Sequence, residues 1–218
     1  MGGHGMDEEL LNVYDAAGTV VDARPRRAAK ASGLAVGAVN ALVVNGEGLV
    51  LMQRRPSDKE NGARWDKSVG GHVSAGEDFD ATLVREAGEE LFSDPASSRV
   101  RLASSPAEFA SLLATMELTQ VAVLRRVALH LNLRDVRHAP GGGLRNVLYH
   151  VAVYAGRTDV PRGSFRPQAE EIDELSYFPA AEVDAMLLRG ELAPNMAFLW
   201  LTQAQALLAL AKGPGPAR

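Results

Sequence analysis

The sequence predicts a mixed α/β (α+β) domain, a central sheet of mixed strand direction with helices on both faces. Three observations carry that reading. Two β-branched runs, Ala35 to Val44 and Gly48 to Gln53, meet at Asn45-Gly46-Glu47-Gly48, a tight-turn signal. One helical pattern, Phe79 to Phe92, follows a glycine-rich approach and lies between strand-like segments. Two apolar helical segments, Pro179 to Arg189 and Pro194 to Lys212, close the chain with proline in the first turn. Strands around one helix, with helices at the end, need a layered sheet to bury both kinds of apolar face.

Each element has its own reason. Glu9 to Tyr14 and Thr19 to Ala23 flank Asp15-Ala16-Ala17-Gly18 and read as a hairpin. Pro25 to Ser32 is basic and alanine-rich, a short helix ended by Gly33. Arg54 to Arg64 carries Pro56, Asn61 and Gly62 and reads as a loop, and Trp65 to Gly76 as a glycine-punctuated approach. Ser93 to Ser105 is loop-like, and Pro106 to Met116 puts Phe109, Leu112 and Leu113 on one side of a short helix. Val121 to Val136 and Asn146 to Ala155 read as strands about a turn at Pro140 to Gly143, and Leu175 to Phe178 as a last short strand. Residues 10–212 are expected to form one domain with 93–116 as an insertion. Residues 1–9 are expected to be disordered or an artificial leader, and 213–218 a disordered tail.

Composition narrows the function classes. The 218 residues include no cysteine, which removes disulfides, zinc-thiolate sites and a thiol nucleophile together. A formal charge of -4 gives no electrostatic ground for nucleic-acid or membrane binding. No run approaches the ~18 apolar residues of a spanning helix, and the first residues lack a basic start and apolar middle. The expected compartment is the cytoplasm.

The chemistry is concentrated in one segment. Glu86, Glu89 and Glu90 stand at i, i+3 and i+4, so a helix brings three carboxylates to one face. Asp78 can cap that helix, and Phe79, Leu83, Ala87 and Leu91 give it an apolar stripe for anchorage. Clustered like charges repel, and hard oxygen donors in that arrangement suit magnesium or manganese. A solvated acidic face is the ordinary meaning of a bare E-x-x-E-E. The glycine-rich approach weighs against it here, because Gly70 or Gly71 lets backbone come close and offers a carbonyl oxygen. Glu77 and Arg85 are placed to pair across loop and helix.

Gly71, five residues, Glu77, seven residues, and Arg85-Glu86-Ala87-x-Glu89-Glu90 resemble the Nudix box, G-x5-E-x7-R-E-U-x-E-E-x-G-U with U apolar. Phe92 stands where the box has its second glycine, and Ser93 where it has its last apolar residue. Leu51 to Arg55, Trp65 to Val69 and Glu171 to Phe178 are also similar to that family. The Trp and Gly-Gly-His-Val around the approach look like the branch related to isopentenyl diphosphate isomerase. The resemblance implies a Nudix-like α/β/α sandwich around a loop-helix-loop, and metal-dependent hydrolysis of a diphosphate linkage.

It further implies Glu86 and Glu90 as principal metal ligands, helped by Glu89 and by Gly71, with Glu89, Glu90 and Arg85 as the catalytic set and magnesium or manganese as cofactor. A further carboxylate is expected from Glu170, Glu171 or Glu174. Arg54, Arg55 and Trp65 are candidates for substrate contact, although a surface arginine and a packing tryptophan are the plainer readings of these positions. His72 reads as a solvent-facing histidine within reach of phosphate. The partner implied is a small-molecule diphosphate, a nucleoside diphosphate linked to another moiety or a related compound, with homodimerisation a fold-level analogy. Two other readings compete: an isomerase of isopentenyl diphosphate, whose family uses a cysteine that this chain lacks, and a Nudix domain kept for binding without turnover.

Overall fold

The computed structural model describes residues 9–59, 61–138, 144–168 and 171–211. In them ten strands join one mixed sheet whose main path runs β10-β4-β3-β9-β8-β7. The strands are β1 (Leu10–Tyr14), β2 (Val20–Pro25), β3 (Ala35–Val44), β4 (Val50–Arg54), β5 (Trp65–Asp66), β6 (Val69–His72), β7 (Val100–Ala103), β8 (Ala122–His138), β9 (Leu144–Arg157) and β10 (Glu174–Phe178). The helices are α1 (Arg26–Ala31), α2 (Phe79–Phe92), α3 (Pro106–Thr115), α4 (Ala180–Leu188) and α5 (Pro194–Ala211). The pairings β3/β9 and β7/β8 are parallel and the others antiparallel, which makes the sheet mixed as expected. Among the described residues no helix is long and apolar enough to cross a membrane.

Strand β3 is buried on both faces, and its alternation separates two cores. Val39, Ala41 and Val43 pack with Leu83, Ala87 and Leu91 of α2. Leu42 and Val44 pack with Met196, Leu199 and Trp200 of α5. Glu90 and Glu86 flank that apolar stripe on the helix surface, so anchoring the stripe holds them at a fixed height beside the sheet. Asp78 caps α2 by accepting from the Ala81 N–H at 2.7 Å.

Three features differ from the expectations. The glycine-punctuated approach is not loop throughout: Val69 to His72 pairs antiparallel with β3, and Trp65 and Asp66 with β4. Glycine-rich sequence hides these strands, because their side-chain pattern is nearly empty. Val100 to Ala103 is likewise a strand, parallel to β8, so the segment 93–116 extends the sheet edge through β7 and α3. The turn expected at Pro140 to Gly143 lies outside the described residues.

The end of α2 accounts for the box departures. The left-handed backbone falls on Ser93 (φ 48°), not on Phe92, so the glycine-favouring conformation is one residue later than the box pattern places it. A non-glycine residue there costs about 1 kcal/mol, offset in part by the Ser93 hydroxyl donating to the Arg166 carbonyl. Phe92 is buried, stacked on Phe165 at 6.1 Å and covered by the Arg99 guanidinium at 4.1 Å.

Gly88 is a close-approach position within α2. A Cβ there would lie 2.4 Å from Ser97 Oγ and 2.5 Å from the Asp94 carbonyl oxygen. Alanine favours a helix interior by about 1 kcal/mol over glycine, but overpacking against backbone costs about 1–3 kcal/mol, so the clash prevails. Gly88→Ala should lower the urea midpoint, and a stabilised variant would show that the 94–97 turn yields without cost.

Candidate active site

Helix α2 presents its three glutamates to a cleft of about 570 Å³. The cleft wraps the free edge of β6, a strand paired on one side only with β3. Glu90 is buried, and its carboxylate accepts the Gly70 N–H at 2.9 Å and lies 3.5 Å from Gln53 Nε2. Glu86 lies directly against Gly71. A Cβ on Gly71 would come 2.0 Å from Glu86 Oε1, so only glycine lets helix and strand approach this closely. Glu89 is half-buried and its Oε2 accepts from Arg85 Nη1 at 3.1 Å.

Arg85 organises the approach. Its Nε donates to Glu77 Oε1 at 2.9 Å and its Nη2 to Glu77 Oε2 at 3.1 Å, a two-point clasp. The Thr82 hydroxyl also donates to Glu77, and Arg85 Nη1 lies 3.1 Å from Glu86 Oε1. Hydrogen bonds from Arg85 and Thr82 outweigh burial and hold the Glu77 carboxyl below its ordinary range. The acids in the cleft behave oppositely. Burial, with repulsion from Glu89 and Glu171, outweighs Arg85 and pushes Glu86 up to about 7. Burial first, and then the Glu86 charge, raise Glu90 well above its usual value. A buried Glu90 and a half-buried Glu86 that each resist ionisation beside the other are the kind of pair whose charge a divalent cation would balance.

Among the described residues no three such side chains already stand as a closed metal cage. Glu86 and Glu90 bring two carboxylates to the β6 edge, beside its backbone. The Val73 N–H donates to Gly37 on β3, so alternation turns Gly71 toward β3 as well. The Gly70 N–H points to the open edge, at Glu90, and the Gly70 carbonyl lies on that same edge. The donor set suits a hard cation. The carbonyl on the open edge is thus that of Gly70, while that of Gly71 turns toward β3.

The family model for the NUDIX domain matches residues 34–199. The chain belongs to the Nudix family. It is 36% identical over 87 residues to an uncharacterized Nudix hydrolase of Nostoc sp. (strain PCC 7120), a match over 39% of this chain and 52% of that relative, so the chain spans about half the length of the curated relative it matches. The crystal structure of DR0079 from Deinococcus radiodurans superposes with a TM-score of 0.59 at 23% identity, covering 88% of this chain and 96% of that one. The NUDIX domain of Shewanella oneidensis NrtR, solved with ADP ribose, gives a TM-score of 0.48 at 14% identity over 79% of this chain and 88% of that one. None of these descriptions names an isopentenyl diphosphate isomerase, and that finer resemblance stands only on residues 65–73.

Outside the Nudix box the expected residues divide. Arg55 and Glu171 line the cleft, and Glu171 is near enough to Glu86 to raise it. Arg54 is exposed on the neighbouring position of β4 and lies outside the cleft lining, because strand alternation sends consecutive side chains to opposite faces. Trp65 is a packing residue, edge-on to Phe178 at 4.7 Å and set against the α5 core, not a cleft contact. Glu174 is drawn away by an ion pair with Arg162. Glu170 lies outside the described residues. His72 is not solvent-facing; it forms part of the cleft wall, and its Nε2 is sealed from water.

Sequence reading passed over Asp66 and Lys67. Lys67 Nζ is 3.3 Å from both carboxylate oxygens of Asp66, Arg55 Nη1 is 3.5 Å from Asp66, and both members of the Asp66–Lys67 pair are buried. Adjacent Asp-Lys in a glycine-rich stretch looks like ordinary surface, and burial alone marks it.

The raised Glu86 value fixes a pH dependence. A folded value near 7 against an ordinary 4.5 means the native state binds more protons between those limits. Its contribution is complete below pH 4.5 and lost as pH rises through 7; the Glu77 contribution, of opposite sign, is lost only below 4.5. In chelator, stability by urea titration should lose more between pH 4.5 and 7 in the parent than in Glu86→Gln, since the opposing contribution of His72, whose value is lowered, is common to both. An unchanged slope in the variant would disprove the assignment.

Proposed function

We propose that the protein is a metal-dependent hydrolase that cleaves a phosphoanhydride linkage in a nucleoside diphosphate joined to another moiety. The observation that carries this reading is a buried Glu90 beside a half-buried Glu86, both set against the backbone of β6, in a cleft whose other walls carry cations. Burying such a pair has no structural benefit by itself, since desolvation disfavours both charges. It makes sense where a cation sits between them and an anionic substrate.

Glu86, Glu90 and the Gly70 carbonyl are the proposed ligands of a magnesium or manganese ion, with Glu89 assisting. When bound, such ions neutralise charge on the diphosphate oxygens and lower the pKa of the attacking water. The chain's own groups do the rest. Glu77 and Arg85 clasp the approach loop to α2, fixing the β6 edge at the distance the ligands require. Arg85 also hydrogen-bonds the Glu89 carboxylate, and Glu89 and Glu171, both lining the cleft, are the proposed acceptors of a proton from water. Glu171 is the outlying acid this geometry favours over Glu174. Arg55 and Lys67, both in the cleft wall, attract the diphosphate.

The test is a panel of nucleoside diphosphate-linked compounds with magnesium, scored by phosphate-containing products. Glu90→Gln and Glu86→Gln should each lower kcat by about 10²–10³-fold, the scale of losing one transition-state electrostatic contact, while the fold persists. Near-parental turnover in either variant would refute the ligand assignment. Glu171→Gln should lower kcat more than it changes KM; a pure KM effect would make Glu171 a binding group instead. Binding of these compounds without metal-dependent turnover would favour a non-catalytic domain.

A further inference from the structure

The N-terminal hairpin holds the loop that leads into α2. Strand β1 packs Leu11 and Val13 with Ala29 and Val36, so alternation turns Asn12 and Tyr14 to its other side. There β1 lies along residues 73–77. The Asn12 N–H donates to the Val73 carbonyl at 3.3 Å, the Ala75 N–H donates to the Leu10 carbonyl at 2.8 Å, and Leu11 bridges antiparallel to Ser74. Tyr14 stacks on Phe79, the first residue of α2, at 5.7 Å. The far end of the hairpin is fixed as well. His150 Nδ1 accepts the Asn132 N–H at 3.0 Å, which leaves its Nε2–H to donate to the Asp15 carbonyl at 2.8 Å. The Asn132 side chain donates to the Ala16 carbonyl at 2.9 Å.

Asn12 makes a contact that no apolar strand residue could make. It is buried, and its Nδ2 donates to the Glu77 carbonyl at 2.8 Å while its Oδ1 accepts the Gly76 N–H at 3.2 Å. A carbonyl only accepts and an N–H only donates, so a carboxamide is the group that meets both at once. The partners lie 64 and 65 residues away in sequence, so this is a tertiary clamp and not a local turn. It grips the backbone where the chain is most pliable, since Gly76 stands at φ 87° and glycine has the widest choice of conformations. Glu77, held here through its backbone, is the residue whose carboxylate clasps Arg85, and Arg85 in turn touches Glu86 and Glu89. Burying an amide costs desolvation that its hydrogen bonds largely offset, so stability alone gives little reason to place one in an apolar strand.

We infer that Asn12 is a positioning residue for the acids of α2: by clamping Gly76 and Glu77 to β1 it fixes the Glu77–Arg85 clasp, and through that clasp the place of Glu86 and Glu89 beside β6. The inference rests on the hydrolase reading, because it assigns Asn12 to the metal-holding geometry proposed there. Asn12 lies outside the cleft lining. Its effect therefore falls on how tightly the cation is held, and not on which substrate is chosen. Groups that orient metal ligands from behind commonly change metal affinity about 10–100-fold. Asn12 stands further out than such a group, and the lower end of that range applies.

The test separates the two faces of β1. Manganese is titrated into the full chain and followed by calorimetry, for the parent, Asn12→Leu, Asn12→Ser and Val13→Ala. Asn12→Leu removes both hydrogen bonds at similar volume. Asn12→Ser removes the reach without adding an apolar group, and serves if the leucine variant fails to fold. Each should weaken manganese binding about tenfold. Val13→Ala opens a cavity on the other face and lowers the urea midpoint, yet should bind manganese as the parent does. Asn12 variants that bind as the parent does, or a loss in Val13→Ala as large as theirs, overturn the inference and make the hairpin a scaffold only. In turnover of a panel compound, the magnesium concentration for half-maximal rate should rise by a similar factor in the Asn12 variants, while KM at saturating magnesium stays put. A changed KM with unchanged magnesium dependence also overturns it. A parent that takes up no manganese defeats the hydrolase reading itself, and the inference falls with it.

Discussion

The structure turns on holding two carboxylates, Glu86 and Glu90, out of water beside each other. Nothing in helix propensity or packing asks for this. Glutamate is a good helix former because it stays solvated, and here that advantage is surrendered on the one face of α2 that meets the β6 edge. The adjoining face compensates. Leu83, Ala87 and Leu91 are fully buried against β3, so the helix is anchored by apolar contact while its acids are pressed toward the strand. The raised affinity of both acids for protons measures the tension that remains.

That constraint explains residues that make no contact with substrate. Gly71 lacks a side chain because Glu86 fills the space, and Gly70 because Lys67 does. Glu77 and Arg85 serve as a clasp: one guanidinium reaches the loop acid and two of the helix acids, and so fixes the distance between the approach loop and α2. Arg85 gives part of the counter-charge the acids need but remains half-buried at the side of the cluster. A second cationic group, Lys67, is itself held by Asp66.

The edge position of β6 decides how the cleft is divided. An interior strand would have partners on both sides and no free N–H for Glu90. As an edge strand, β6 turns one row of backbone groups toward the cleft and sends alternate residues to its two sides. Glu86 accordingly stands against the α2 side at Gly71, Lys67 against the other side at Gly70, and Glu90 meets the edge between them.

The fold class, the central helix, the two closing helices and the paired strands β3 and β4 were legible in the sequence, because periodicity and turn chemistry are local. The same holds for the Glu77–Arg85 clasp and the three acids, whose spacing alone puts them together on a helix. Strands β6 and β7 were not legible. Glycine-rich residues at 69–72 carry no alternating pattern, and Val100 to Ala103 is too short to announce itself. Which side chains beyond the box reach the cleft was decided by tertiary structure alone. Arg54 and Arg55 are neighbours in sequence with equal charge, and strand alternation sends one to solvent and the other to the wall. His72 changes from a surface residue to a half-buried one with its Nε2 sealed, because Tyr149 of β9, 6.0 Å away, is brought beside it only by folding.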